Sequence, residues 1–367
     1  MTRPTQTCLL LLLLLGLRSA SLAQPLISFF NEMKSPELVA LFSDSAVIED
    51  LKTLKAEIRM GIMDVTPERA AVIRELNREG IPVVAWLLLP EEQGYWFHLG
   101  NGDAAIRRYQ ESRDWARTNE LVFKGIGLDM ELDYQDVKLL KSDPWKVIRK
   151  LPGRLYDDLP LKTAERKYDS LLTMIRKDGY WTESYYASFV KDEVALGNTA
   201  IQQLTGFMDI HTDREIPMLY SSFMGSPDGL LTIYGKEAGV LTVGLGSTGG
   251  GIDSGLPTMT YEDLVHDINF ASSFAKELHI FSLEGCVSNG FLHRLTTEQW
   301  TPRSSPDPQQ LRTVQKLQTV FKVASHLLTW PTLTFGGFLV LTIFILFLMG
   351  WLIRWTFRRI TKLLFKS

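Results

Sequence analysis

The apolar pattern of this chain switches repeatedly between strand and helix, and that alternation limits its fold more than any other feature. ELVALFS at 37–43 reads as a first short apolar strand, ahead of an amphipathic stretch at 44–56. EIRMGIMDV at 57–65 reads as a second strand. Thr66 and Pro67 then open a helix to about Glu79, with Thr66 as cap and Pro67 in the first turn. IPVVAWLLL at 81–89 is continuously apolar and rich in β-branched residues, as a strand covered on both faces must be. A helix at 102–118 and a strand GIGLDMELD at 125–133 follow, and a helix at 163–178 comes after a long basic insertion. Strands are then expected at 180–189, 206–212 (with 216–222 competing), 239–247 and 278–285. Helices are expected between them at 190–204 and 261–277, and a last one at 307–326.

Strand and helix alternating over roughly 250 residues give a parallel sheet covered by helices, and eight strand candidates favour a (β/α)8 TIM barrel. An open doubly wound sheet is the alternative. No GxGxxG follows the first strand, so no dinucleotide site is expected, and no cofactor is assigned.

The ends have a different character. Seven leucines at 9–15, preceded by Arg3 and followed by Ser21-Leu22-Ala23, have the layout of a secretory signal peptide over residues 1–23. The stretch TFGGFLVLTIFILFLMGWLI at 334–353 carries no charge and is long enough to span a bilayer. Trp330, Trp351 and Trp355 lie near its edges, and Arg354, Arg358, Arg359, Lys362 and Lys366 follow. The expected organisation is a barrel domain at 24–305, a juxtamembrane helix at 306–333, a transmembrane helix at 334–353 and a basic cytoplasmic tail at 354–367. The body then lies outside the cytoplasm, in a periplasm, on a cell surface or in a lumen, and the lipid bilayer is a partner through the C-terminal helix. Of the 39 basic residues seven lie in the end segments, whereas all 42 acids lie in the body, which therefore carries a net −10. That balance argues against nucleic acid as a partner. Cys8 lies in the leader, so Cys286 has no intrachain disulfide partner. Oligomeric state is not legible.

The strand at 125–133 carries the chemistry. Successive side chains alternate across a strand. Ile126, Leu128, Met130 and Leu132 fall on the face that suits the helix layer, and Gly125, Gly127, Asp129, Glu131 and Asp133 on the face that points into a barrel. Carboxylates two residues apart on one face lie ~7 Å apart and repel, which raises one pKa and makes a general acid near neutral pH. Glu284 ends an inward face of LHIFSLEG in the same way. Asp64, Glu183 with Tyr185, and Asp209 with His211 are further strand-end groups that would converge on one mouth. Trp86, the run Tyr95-Trp96-Phe97, Tyr134, Trp181, Tyr185 and Tyr186 add aromatic faces that suit sugar rings. Catalysis is therefore assigned to Asp129, Glu131 and Glu284. Substrate binding is assigned to Asp133, Trp86, Trp96, Tyr134, Glu183, Tyr185 and Asp209, with no metal ligand. The glycine-rich loop at 244–251 contains no Lys or Arg and is read as a flexible loop rather than a phosphate cradle.

GIGLDMELD resembles the fourth-strand signature of the family 18 glycoside hydrolases, the chitinase-like barrels, which runs Asp-x-x-Asp-x-Asp-x-Glu. Asp129 and Glu131 match its last two acidic positions, whereas Lys124 and Gly127 depart from the earlier ones. The resemblance implies that Glu131 donates the proton to the glycosidic oxygen and that Asp129 orients an acetamido group of the substrate. The nucleophile would be that acetamido group or a second carboxylate, with Glu284 the candidate. The expected function is a membrane-anchored, extracytoplasmic glycoside hydrolase-like enzyme acting on a glycan substrate. One alternative is a xylose-isomerase-like barrel holding a divalent ion with Glu131, Glu183, His211 and Glu284. Another is a barrel that binds a glycan or a protein without turnover.

Overall fold

The computed structural model describes residues 24–143, 159–252 and 257–330, with scattered positions between and after them. The expected signal peptide at 1–23, the expected tail at 354–367 and nearly all of the expected transmembrane segment at 334–353 lie outside the described residues. Among the described residues no helix is long and apolar enough to cross a membrane.

Eight parallel strands form the centre: β1 (Leu26–Asn31), β2 (Glu57–Ile62), β3 (Val83–Leu87), β4 (Gly125–Met130), β5 (Trp181–Tyr186), β6 (Arg214–Pro217), β7 (Thr242–Gly246) and β8 (Glu277–Phe281). Each pairs with its neighbour in sequence from β1 to β6, and β1 also pairs with β8, which pairs with β7. The remaining seam, β6 to β7, is bridged by a parallel pair between Met218 and Gly244 and by the Leu219 amide donating to the Gly244 carbonyl at 2.9 Å. The sheet is a (β/α)8 barrel.

The crossover helices begin as their caps dictate. Helices α1 (Ser35–Phe42) and α2 (Ser45–Leu54) precede β2, and α3 (Pro67–Arg78) follows it, with the Thr66 hydroxyl accepting from the Arg69 amide. Helix α4 (Gly102–Thr118) precedes β4. Helices α5 (Tyr134–Ser142) and α6 (Leu159–Lys177) precede β5, and α7 (Phe189–Ala195) and α8 (Ala200–Thr205) precede β6. Short helices α9 (Ser221–Met224) and α10 (Pro227–Leu230) lead through a π-helical stretch, Leu231–Glu237, to β7. Helix α11 (Tyr261–Ala271) precedes β8, and α12 (Leu283–Ser288), α13 (Phe291–Thr297) and the long α14 (Pro308–Thr329) complete the described chain.

Two expected strands are corrected. Of the expected strand 37–43, residues 37–42 belong to helix α1 and Ser43 is its C-cap, because Ser35-Pro36-Glu37 is a helix start, and the first strand is instead LISFFN at 26–31. The sixth strand is not 206–212, which is a partly buried loop, but Arg214–Pro217, overlapping the competing stretch. The fourth strand ends at Met130, three residues before its predicted end.

The two faces of the strands divide as the alternation requires. Ile58, Met60, Ala85, Leu87, Ile126, Leu128 and Met130 join the apolar layer beneath the helices. Phe30, Trp86, Tyr185 and Ile216 meet inside the barrel. Below that aromatic layer lies a charged one. Arg59 is fully buried and binds Glu183 through Nε at 3.1 Å and Nη2 at 3.2 Å, and Glu57 through Nη1 at 3.0 Å. Tyr185 donates to Glu183, and Lys124 donates to Glu57. His279 lies between Ser28 and Thr242, and burial followed by the nearby Arg59 charge holds it neutral, well below the usual imidazole range.

Gly127 leaves room for Tyr185 in this interior. A Cβ there would come within 2.3 Å of the Tyr185 hydroxyl and 2.9 Å of its ring. Gly127→Ala is therefore expected to displace the Tyr185 ring and destabilise the fold by about 1–3 kcal/mol, the cost of overpacking a filled core. An unchanged melting temperature would refute this account of the barrel filling.

Candidate active site

Four carboxyl groups gather at the C-terminal mouth of the barrel. Asp129 is the last inward residue of β4, and Glu131 follows as the strand ends. The Phe97 amide donates to the Asp129 carbonyl at 2.8 Å, and the Glu131 amide donates to the Phe97 carbonyl at 3.0 Å. This continues the ladder for one more pair and fixes both acids on the same side. Glu284 is not on β8 as expected. It sits in the first turn of α12, whose cap is the Ser282 hydroxyl accepting from the Gly285 amide. That turn still aims Glu284 at the mouth, where its carboxylate accepts from Asn31 Nδ2 at 2.9 Å and from the Glu32 amide at 3.0 Å.

Glu32, just beyond β1, is the fourth acid, and sequence reading missed it together with its strand. Tyr95 donates its hydroxyl to Glu32, and the Ile252 amide donates to the other oxygen at 3.2 Å. Ile252 belongs to the end of the glycine-rich loop, which therefore packs over the acids instead of lying free. At Gly250 (φ +88°) a Cβ would come within 2.5 Å of Glu284, and at Gly251 (φ +82°) within 2.4 Å of Glu32. Only glycine adopts these conformations at no steric cost while approaching so closely.

Burial and mutual repulsion set the protonation of the cluster. Burial, then the Glu131 and Glu32 charges, hold Asp129 well above the carboxylate range. Its Oδ1 is buried without a hydrogen-bond partner. Burial pushes Glu32 up to about 8 against the Tyr95 hydrogen bond, and the Glu284 charge adds to the rise. Burial pushes Glu131 up to about 7, opposed by its hydrogen bond with Asp129. It pushes Glu284 up to about 7 as well, opposed by the Glu32 amide and Asn31 Nδ2, which donate to its carboxylate.

These shifts have a consequence for stability. The raised groups bind protons more tightly in the folded chain, so their contribution is complete below about pH 4 and is lost as the pH climbs through 7 to 8. The melting temperature is expected to fall between pH 5 and 9, and Glu32→Gln is expected to flatten that fall. A melting temperature that is level or rising across this window, by calorimetry, would contradict the cluster's electrostatics.

A cavity of about 430 Å³ opens over the acids. Glu32, Asp129, Glu131, Trp86, Trp96 and Tyr185 line its barrel end. Phe30 packs edge-on against Trp86 and Tyr185, with ring centroids 5.1 and 4.7 Å away, and forms the floor. Tyr95 is buried behind Glu32, Phe97 is buried in the outer layer, and Trp96 lies edge-on to Tyr134 at 5.4 Å. Tyr134 and Glu284 line an adjoining groove with Met33, Asp64 and Tyr95.

The other predicted residues do not join this centre. Asp133 lies beyond the strand and caps α5 by accepting from the Gln135 amide at 2.9 Å. Glu183 is sealed in the Arg59 network beneath the aromatic floor. Asp209 pairs with Lys191, and His211 is exposed. Asp64 is held below the usual range by Arg69, Thr66 and Ser35 in spite of partial burial. The proposed metal set of Glu131, Glu183, His211 and Glu284 therefore does not converge. Asp209, His211 and Glu215 do place ligand atoms within 4.8 Å of one another, but Lys191 already binds both carboxylates there.

No protein-family model matches the chain, and no curated protein sequence matches it. Among solved structures it is similar to a 3-keto-D-glucoside 4-epimerase from E. coli, with 13% identity and a TM-score of 0.39, covering 80% of this chain and 98% of that one. It is similar to Saccharomyces cerevisiae Gas2 in complex with laminaritriose and laminaritetraose, with 11% identity and a TM-score of 0.40, covering 78% of this chain and 66% of that one. A third is the catalytic domain of a mannanase from Streptomyces, with 15% identity and a TM-score of 0.38, covering 78% and 81%. At these scores the likenesses carry no argument about activity.

Proposed function

We propose that this chain is a glycoside hydrolase in which Glu131 is the general acid and Glu284 the carboxylate that acts as nucleophile or base. The observation that carries the reading is the unequal solvation of two acids raised to the same range. Glu284 accepts from Asn31 Nδ2 at 2.9 Å and from the Glu32 amide at 3.0 Å, donors that stabilise its anion, whereas Glu131 has only Asp129. In this division Glu284 works as the anion that its donors stabilise, and Glu131 as the protonated acid. Glu32, pushed up to about 8, is mostly protonated at neutral pH, and burial holds Asp129 well above the carboxylate range.

The chemistry follows from that division. The protonated Glu131 transfers its proton to the glycosidic oxygen as the bond to the anomeric carbon breaks. The Glu284 carboxylate faces the positive charge that develops on the sugar, or activates the water that attacks it. Trp86, Trp96 and Tyr185 supply flat faces for the C–H side of a pyranose. The pairing of Asp129 with Glu131 is similar to that of the chitinase-like barrels. In that reading Asp129 would orient an acetamido group.

The leader and the uncharged segment at 334–353 support an extracytoplasmic, membrane-anchored placement of this enzyme. The test is hydrolysis of a panel of chromogenic and polymeric glycans by the full chain in lipid nanodiscs. Turnover of one substrate class is the expected result. No turnover across the panel, with and without added divalent metal, would refute the reading.

A further inference from the structure

The cavity does not end at the acids. Beyond Met218 and Tyr220 it runs between the barrel and the C-terminal helix as an arm lined by Phe189, Phe207, Leu230, Val314, Leu317 and Phe321. Phe189 stacks on Phe321 at 5.0 Å and meets Phe207 edge-on at 5.2 Å, so aromatic surface holds the arm open rather than filling it. Helix α14 is fastened in this position by polar contacts. Gln318 donates to Asp192 at 2.7 Å, and the Ser325 hydroxyl donates to Glu193 at 3.1 Å.

No catalytic role requires this arm. A free oligosaccharide presents hydroxyls on most of its edges and would leave them unpaired against Phe and Leu side chains, which is costly. Ser188 is among the residues that line the cavity. Ser188 is only 8% exposed, and its Oγ has no hydrogen-bond partner. The outer limit of the arm reaches the surface at Met224 and Leu317, which are 43% and 45% exposed. Further along the same helix Val320, Val323, Leu327 and Trp330 are also exposed, and the uncharged segment at 334–353 begins four residues later.

We infer that the substrate is an amphipathic glycoside. Its sugar lies over Glu131 and Glu284, and its alkyl or acyl chain lies in the Phe189–Leu230–Phe321 arm. This deepens the hydrolase reading and rests on it for the position of the sugar. The exposed apolar side of α14 would let such a chain pass from a bilayer into the arm without crossing water.

The experiment uses the full chain in phospholipid nanodiscs and a dodecyl glycoside carrying a diazirine at the chain end. Crosslinks are mapped by mass spectrometry in competition with butyl, octyl and dodecyl glycosides of the same sugar. Crosslinks are expected on Phe189, Leu317 or Phe321, with competition strengthening by up to about fourfold per buried methylene. Leu317→Trp, which fills the arm at a half-exposed position, is expected to reduce crosslinking at least tenfold in the same membrane, whereas Glu131→Gln leaves it intact. Equal labelling of the wild type and Leu317→Trp, or competition independent of chain length, would overturn the inference. The two readings fail separately. Hydrolysis with kcat/KM indifferent to chain length leaves the hydrolase without the arm, and specific labelling without hydrolysis leaves the arm without the hydrolase.

Discussion

Replacing Glu131 by Gln is expected to lower kcat on a glycoside with an alkyl leaving group by 10²–10⁴-fold while leaving KM and the melting temperature nearly unchanged. The amide keeps the shape of the side chain and its hydrogen bond with Asp129, but it has no proton to give. The expected loss corresponds to about 3–5 kcal/mol of transition-state stabilisation. Leaving-group chemistry separates this role from a structural one. A dinitrophenolate departs without protonation, so the same variant should lose far less on a dinitrophenyl glycoside. Glu284→Gln should instead lose activity on both substrates, because the group that meets the developing cation is needed whatever leaves. Equal losses for Glu131→Gln on the two leaving groups would remove it from the acid role. In the wild type, the basic limb of kcat/KM should report Glu131 near 7, and it should disappear with the dinitrophenyl substrate.

The part of this site that could be read in the sequence is the part set by local alternation. GIGLDMELD declares its two faces within nine residues, and the structure puts Asp129 on the inward one with Ile126, Leu128 and Met130 in the outer layer. Glu284 lies in the first turn of α12 and not at the end of the eighth strand, where the alternation had placed it. A strand and the first turn of the following helix both end at the barrel mouth, so the error cost little. Glu32 was lost because LISFFN follows so closely on an N-terminal leucine-rich run of similar apolar content, while ELVALFS offered a rival apolar run. Only the Ser-Pro-Glu helix start could have rejected that rival. The sixth strand is four residues long and begins with Arg214 and Glu215, so it has no apolar period to detect. Glu183 shows a limit of a different kind. Its face was assigned correctly, but depth along a strand decides whether an inward acid meets substrate or a buried arginine, and depth depends on the stagger of all the strands.

Arg59→Met should be the most destabilising single change in the barrel that leaves its volume nearly intact. Arg59 is fully buried and is the cation that both Glu183 and Glu57 bind, and its removal strands Glu183 without a positive partner beneath the aromatic floor. Breaking a buried pair by deleting one member costs about 3–5 kcal/mol, since the remaining charge must be protonated or hydrated. Glu57 retains Lys124, so most of the penalty falls on Glu183. The double variant Arg59→Met/Glu183→Gln should recover much of the lost stability, because desolvation is charged against ions and not against a neutral amide that Tyr185 can still reach. Calorimetry on the wild type, both single variants and the pair would give a coupling energy. Additive losses would mean that the charged layer contributes by packing alone. Recovery would show that Arg59 neutralises the lower tier of acids so that it can be buried, whereas no ion pair joins the upper tier among the described residues.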